Sequence, residues 1–203
     1  MPAARPYHHG NLREALIAAA IQLIETQGPL GFTMAEAARM AGVSAAAPYR
    51  HFKGRDDLLA EVARIGFVEF GDRLGAAFDE GKPRPMTAFM RVGHAYLDFA
   101  AQRQGLYMAM FESGVSISGS DPVGLAARRA DKVLMDMARS LIAHFPEETR
   151  PPARMVADHI FAMSHGVVEL FARGRTGGRS PIAPADMLES AVLIYLRGLS
   201  VSA

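Results

Sequence analysis

The sequence predicts an all-α fold, made of an N-terminal three-helix unit and a larger helical body. Three observations lead there. Apolar residues recur three and four apart through most of the chain, no segment alternates convincingly as a half-buried strand would, and Gly, Pro and Ser gather between the periodic stretches. With 203 residues, half of them hydrophobic, the chain can bury a sizeable core. No internal repeat at solenoid spacing is visible.

The first helix is drawn by Leu12, Ala15, Leu16, Ala19, Ala20, Leu23 and Ile24, and Gly28-Pro29 ends it. Thr33 and Glu36 have the spacing of a capping box, opening a short second helix over roughly Met34 to Met40. Gly42 suits a turn with positive φ, and Ser44 is expected to cap a third helix. Pro48 then takes the fourth helical position and removes only the first intrahelical hydrogen bond. Two short helices across a tight glycine turn make a helix-turn-helix. A longer helix begins near Arg55 and is expected to reach Phe78, before GKPRP at 81–85. Further helices are expected at 87–102, 104–111, 122–145, 152–173 and 184–198. The division expected is a head over residues 1–55 and a body over 56–203.

The formal charge is only +1, but it is unevenly spread. Arg5, Arg13, Arg39, Arg50, Lys53 and Arg55 face only Glu14, Glu25 and Glu36 within the first 55 residues, which leaves the body mildly acidic. A basic head permits phosphate binding without requiring it. With no cysteine, there are no disulfides, thiolate ligands or cysteine nucleophile. His8-His9 has no third ligand nearby, so neither a metal nor a cofactor is expected. No G-x-S-x-G, H-E-x-x-H or phosphate-cradling glycine loop is present, so no enzyme is expected. The N-terminus lacks a signal-peptide pattern and no apolar run nears 18 residues, which predicts a cytoplasmic protein with no membrane partner.

In a helix-turn-helix the second helix of the pair enters the major groove of double-stranded DNA. GVSAAAPYRHF fits that use: Ala45, Ala46 and Ala47 allow close approach and methyl contact with thymine, while Ser44, Tyr49 and Arg50 supply polar reach. Thr33, Tyr49, His51 and Lys53 stand where they can meet phosphates, as can backbone N–H groups near Lys53 to Arg55. Phe52 is expected to face inward. A short alanine-rich helix can equally serve only packing.

Three segments in fixed order and spacing, YHHGNLREALIAAAIQLIETQG, FTMAEAARMAGVS and PYRHFKGRDDLLAEVA, resemble the N-terminal DNA-binding domain of the TetR family of bacterial transcriptional regulators over residues 7–64. The resemblance implies that the third helix is the recognition helix and that Thr33, Tyr49 and Lys53 touch the DNA backbone. It also gives His8-His9 a place at the helix start. Phe52-Lys53-Gly54-Arg55 departs from the family pattern, which divides the phosphate role between Lys53 and Arg55.

The body is rich in soft and aromatic side chains. Such stripes are commonly core, yet around a few polar groups they also suit an adaptable apolar pocket. Phe67, Phe70, Met90, His94, Tyr107, Met108, Phe111, Phe161 and His165 are the candidates for binding a small, largely apolar effector. Tyr96 and Glu112 are further polar candidates. QGLYMAMFESG and Ser164-His165-Gly166 resemble the family's subgroup with a Trp-His-Gly effector domain, although tryptophan is absent. The last two helices carry apolar residues on more than one face, as expected of a pair that serves both core and partner. In the family that pair forms a four-helix dimer interface. The expectation is a homodimeric regulator, a repressor released from a palindromic operator by its effector; an activator, or a member without ligand response, is left open.

Overall fold

The computed structural model describes residues 12–118, 121–172 and 181–201. The His8-His9 pair and Arg173, where the fifth of the body's expected helices was to end, lie outside the described residues. Among the described residues eight α-helices follow in order: α1 (Leu12–Gln27), α2 (Met34–Met40), α3 (Arg55–Phe78), α4 (Pro85–Gln102), α5 (Gln104–Phe111), α6 (Pro122–Ile142), α7 (Ala153–Val167) and α8 (Pro184–Val201). No strand occurs among the described residues. The structure falls into two units: residues through Gly66 together with 104–123, and residues 67–103 together with 124 onward.

In the first unit α1 buries Leu16, Ala20, Leu23 and Ile24, the stripe its sequence draws. Thr33 closes the capping box on α2: its hydroxyl accepts from the Glu36 N–H, and the Glu36 carboxylate accepts from the Thr33 N–H. The end of α2 is equally determined. Gly42 at φ +73° lets its own N–H reach the Arg39 carbonyl and the Val43 N–H reach that of Ala38, a complete Schellman motif. A side chain at Gly42 would meet the left-handed penalty of about 1–2 kcal/mol.

The third helix differs from expectation. Ser44 does not cap it; residues 45–46 form a turn and Ala47–Arg50 is a single 3₁₀ segment with no side-chain cap. Pro48 is the cause. It has no N–H for the Ser44 carbonyl at α-helical spacing, so the Ala47 N–H takes that carbonyl at 3.0 Å and tightens the turn. Phe52 then turns inward, 3% exposed, beneath the Arg13 guanidinium at 5.4 Å. From there α3 starts, burying Leu58, Leu59 and Val62. Also in this unit α5 packs on α1, and the Gly105 N–H donates to the Glu25 carboxylate at 3.2 Å.

In the second unit the core is built from Phe70 and Leu74 of α3, Phe89, Val92, Tyr96 and Phe99 of α4, Met137 and Leu141 of α6, Val156 and Ile160 of α7, and Leu188 and Val192 of α8. The turn after α3 places Asp79 at φ 43° and Glu80 at φ 53°, both in the left-handed region. Arg91 of α4 holds that turn, donating to the carbonyls of Ala77 at 2.8 Å, Phe78 at 3.3 Å and Lys82 at 2.6 Å. Helix bounds shift modestly from expectation. Pro85 opens α4 in the first turn, where its missing N–H costs nothing, α6 stops at Ile142, and α7 passes into a π-helical turn over Val168–Ala172.

Candidate DNA-reading face and aromatic core

On the first unit, Ser44, Ala45, Ala46, Tyr49, Arg50, His51 and Lys53 are all exposed, together on the 3₁₀ segment and its flanks. Tyr49 is 60% exposed although aromatic. Arg50 and Lys53 make no ion pair among the described residues, and neither does Arg39 in the last turn of α2, a cation that the sequence reading did not select. Three unneutralised cations beside a small-residue surface favour a polyanion.

Two other candidates have internal duties. Thr33 is exposed, but its hydroxyl donates to Glu36 at 2.8 Å, and that hydrogen bond is the first cause holding the Glu36 carboxyl below its ordinary range. A phosphate would therefore compete with Glu36 for Thr33. Arg55 is half-buried; one guanidinium nitrogen donates to the Leu30 carbonyl at 2.9 Å and the others to Asp56 at 2.8 and 3.1 Å. It ties the α1–α2 turn to the start of α3. The Lys53 N–H, expected to be open to phosphate, donates instead to the Asp57 carboxylate at 2.9 Å, an anion already placed at the positive end of α3.

His51 also lines a cleft of about 350 Å³ with Arg13, Asp57, Glu61 and Arg64. Within it Glu61 accepts from Arg64 at 2.8 Å and Arg13 at 2.7 Å, and the Arg64 hydrogen bond is the chief reason its carboxyl is held low. This carboxylate fastens α1 to α3, the helices on either side of the exposed segment.

The nine effector candidates divide between the units. Tyr107 and Phe111 meet in the first with ring centroids 4.8 Å apart and planes tilted by 59°; Tyr107 is fully buried there and Met108 is half-buried. In the second, Phe67 and Phe70 are buried, Met90 is half-buried, and His94 is exposed. Phe70, Phe161 and His165 are brought together by Tyr96, which the sequence named only as a further polar candidate. Tyr96 meets Phe70 edge to face at 5.0 Å and Phe161 at 6.2 Å, and its hydroxyl lies 3.3 Å from His165 Nδ1. His165 in turn stacks on Phe161 at 5.8 Å. Tyr96 is 1% exposed, so its hydroxyl needs such a partner. Ser164, also buried, is already satisfied by the Ile160 carbonyl at 2.9 Å. The cluster is thus a set of packed rings holding one polar pair, beside a π-helical turn of a kind that recurs at functional sites.

A further surface runs along α7 and α8. Met155, His159, Ala162 and Gly166 follow one stripe of α7 at helical spacing, with the first three exposed. Ile194 of α8 is 70% exposed. His159 and Tyr195 join the helices by a 2.9 Å hydrogen bond, and partial burial raises the Tyr195 phenol above its ordinary range. Among the described residues no helix is long and apolar enough to cross a membrane.

Comparison with known proteins agrees with this geometry. A family model described as "Bacterial regulatory proteins, tetR family" matches residues 16–62, and one described as "Tetracyclin repressor-like, C-terminal domain" matches residues 89–194. The HTH-type transcriptional regulator BetI of Brucella canis is 28% identical over 194 residues, covering 92% of each chain. A solved structure of a protein with unknown function from Rhodococcus sp. RHA1 superposes with a TM-score of 0.77 at 29% identity, covering 96% of this chain and 98% of that one. AibR, solved in complex with isovaleryl coenzyme A and operator DNA, shares the fold with a TM-score of 0.67 at 14% identity, over 90% of this chain and 97% of its own.

Proposed function

The chain belongs to the TetR family of bacterial regulatory proteins and is a helix-turn-helix, DNA-binding transcriptional regulator; from that premise we propose that it is a homodimeric repressor which leaves a palindromic operator when a small, largely apolar molecule binds. The observation that carries the DNA-reading part is the exposed surface from Ala45 to Lys53, whose cations have no ion pair among the described residues. DNA reading is assigned to residues 1–55, with effector binding and dimerisation assigned to 56–203. That is a division of labour, since α5 packs with the head.

In this reading Ala45 and Ala46 approach the bases, Arg50 reads one base edge, and Tyr49, His51 and Lys53 meet phosphates. Arg55 is left to its structural contacts. The effector enters the Phe70–Tyr96–Phe161–His165 cluster by displacing the half-buried Phe161 and exchanging the polar partner of Tyr96. Support for dimerisation comes from the uncovered stripe of α7 and from Ile194 on α8, which one protomer leaves in water. AibR supports the coupling of the two ligands only as a protein of this fold seen with both. Release requires that the effector bind better to the state whose heads are wrongly spaced, and its differential affinity sets the size of the shift.

The test is selection from random duplex DNA at near-physiological salt. Enrichment of a palindrome is expected; binding that simply vanishes as salt rises, with no enriched sequence, would defeat the reading. On the selected operator Arg50→Ala should lose about 1–3 kcal/mol of discrimination at one base pair per half-site. A uniform loss over all sequences would make Arg50 a phosphate contact. Lys53→Ala should weaken all sequences alike and reduce the salt slope by about one per head. Arg55→Ala should leave that slope unchanged and lower the denaturation midpoint.

A further inference from the structure

A groove in the second unit, apart from the aromatic cluster, has no role in the regulator reading. It encloses about 550 Å³ between the start of α4, the end of α6 and one side of α8, within the size range of small-molecule sites. Its walls are apolar where Met86, Leu141, Leu193 and Leu196 face it. The ionisable groups lining it are Arg84, His144 and Arg197, with no acid among them. Arg84 and Arg197 are exposed and form no ion pair among the described residues. The positive end of the 18-residue α4, which no side chain caps, adds to the same potential.

This combination selects its occupant by chemistry. A neutral hydrocarbon in the groove would offer the two guanidinium groups no ion partner. A cationic amphiphile would be repelled. An anion on an apolar chain satisfies both parts, and the planar, forked guanidinium matches the two oxygens of a carboxylate. We propose that this groove binds an aliphatic carboxylate, its head between Arg84 and Arg197 beside His144 and its chain along the leucines and Met86. Around α8 the exposed Ile194 lies about 100° from Leu193 and about 160° from Leu196 but only about 60° from Arg197, so a partner protomer packed on Ile194 leaves the apolar wall of the groove free and borders its carboxylate end.

The probe is decanoate, titrated calorimetrically into the full-length protein below its aggregation concentration, with decanol as the neutral control. Decanoate is expected to bind, and decanol to bind at least about tenfold more weakly. The double variant Arg84→Gln, Arg197→Gln should lose at least about tenfold in decanoate affinity and change little toward decanol. A decanoate bearing a diazirine in its chain should label the start of α4, the end of α6 or α8. Equal binding of decanoate and decanol, an unchanged affinity in the double variant, or labelling confined to the Phe70–Tyr96–His165 cluster would each overturn the site. If the double variant does not fold, the labelling pattern decides. Operator binding is measured separately, so loss of this site leaves the repressor reading standing, and failure of that reading leaves the groove to be judged on decanoate.

Discussion

Replacing Gly105 by alanine is expected to destabilise the protein by about 2–3 kcal/mol, read from the urea midpoint at constant slope. A Cβ at this position would stand 2.6 Å from the Ile21 carbonyl oxygen and 2.9 Å from the Glu25 Cγ. The first obstacle is backbone and cannot swing away, so α5 must lift from α1. Lifting it also breaks the bond from the Gly105 N–H to Glu25, which serves one of the free donors in the first turn of α5. Alanine would return at most about 1 kcal/mol through helix propensity, less than the clash removes. A midpoint unchanged or raised would show that α5 tolerates displacement. Because α1 carries Arg13, which shares Glu61 with Arg64, operator affinity should fall with stability, not independently of it.

Arg91→Ala is the second large effect, about 2 kcal/mol, or a fall of about 4–8 °C in Tm for a chain of this size. One guanidinium serves three carbonyls at the end of α3, where Asp79 and Glu80 hold positive φ without being glycine. Such conformations persist only where the surroundings over-determine them. Without Arg91, water can reach some of those carbonyls, which keeps the loss near the lower end for charged hydrogen bonds. Arg91→Lys should recover less than half of it, because an ammonium cannot span three acceptors as the fork does. If lysine restored full stability, the geometry of the fork would be irrelevant.

Both effects belong to contacts that local sequence could not disclose. The bounds of α2 and α3 were legible because Thr33, Glu36, Gly42 and the GKPRP break act within a few residues of themselves. The all-helical class followed from periodicity alone. Pro48 was visible, but its outcome depended on which carbonyl the Ala47 N–H would choose, and that choice made a 3₁₀ segment of an expected α-helix. Arg55 read as a free cation until Leu30, 25 residues earlier, supplied its carbonyl. Tyr96 likewise read as a polar candidate without a partner until His165, 69 residues on, met its hydroxyl. The exposure of Ser44 to Ala46, Tyr49 to His51 and Lys53 was legible for the opposite reason: these residues have little inside the protein to do.

In the proposed reading the short stretch from Ala45 to Arg50 also limits what one head can ask of DNA. At about 2.0 Å per residue its six residues span about 12 Å. Base pairs stack every 3.4 Å or so, giving a window of about three to four steps. A word that short recurs by chance throughout any genome. The proposed homodimer, reading it twice, would have most of its address in the interval between the words, as a caliper identifies an object by its gap and not by the shape of its tips.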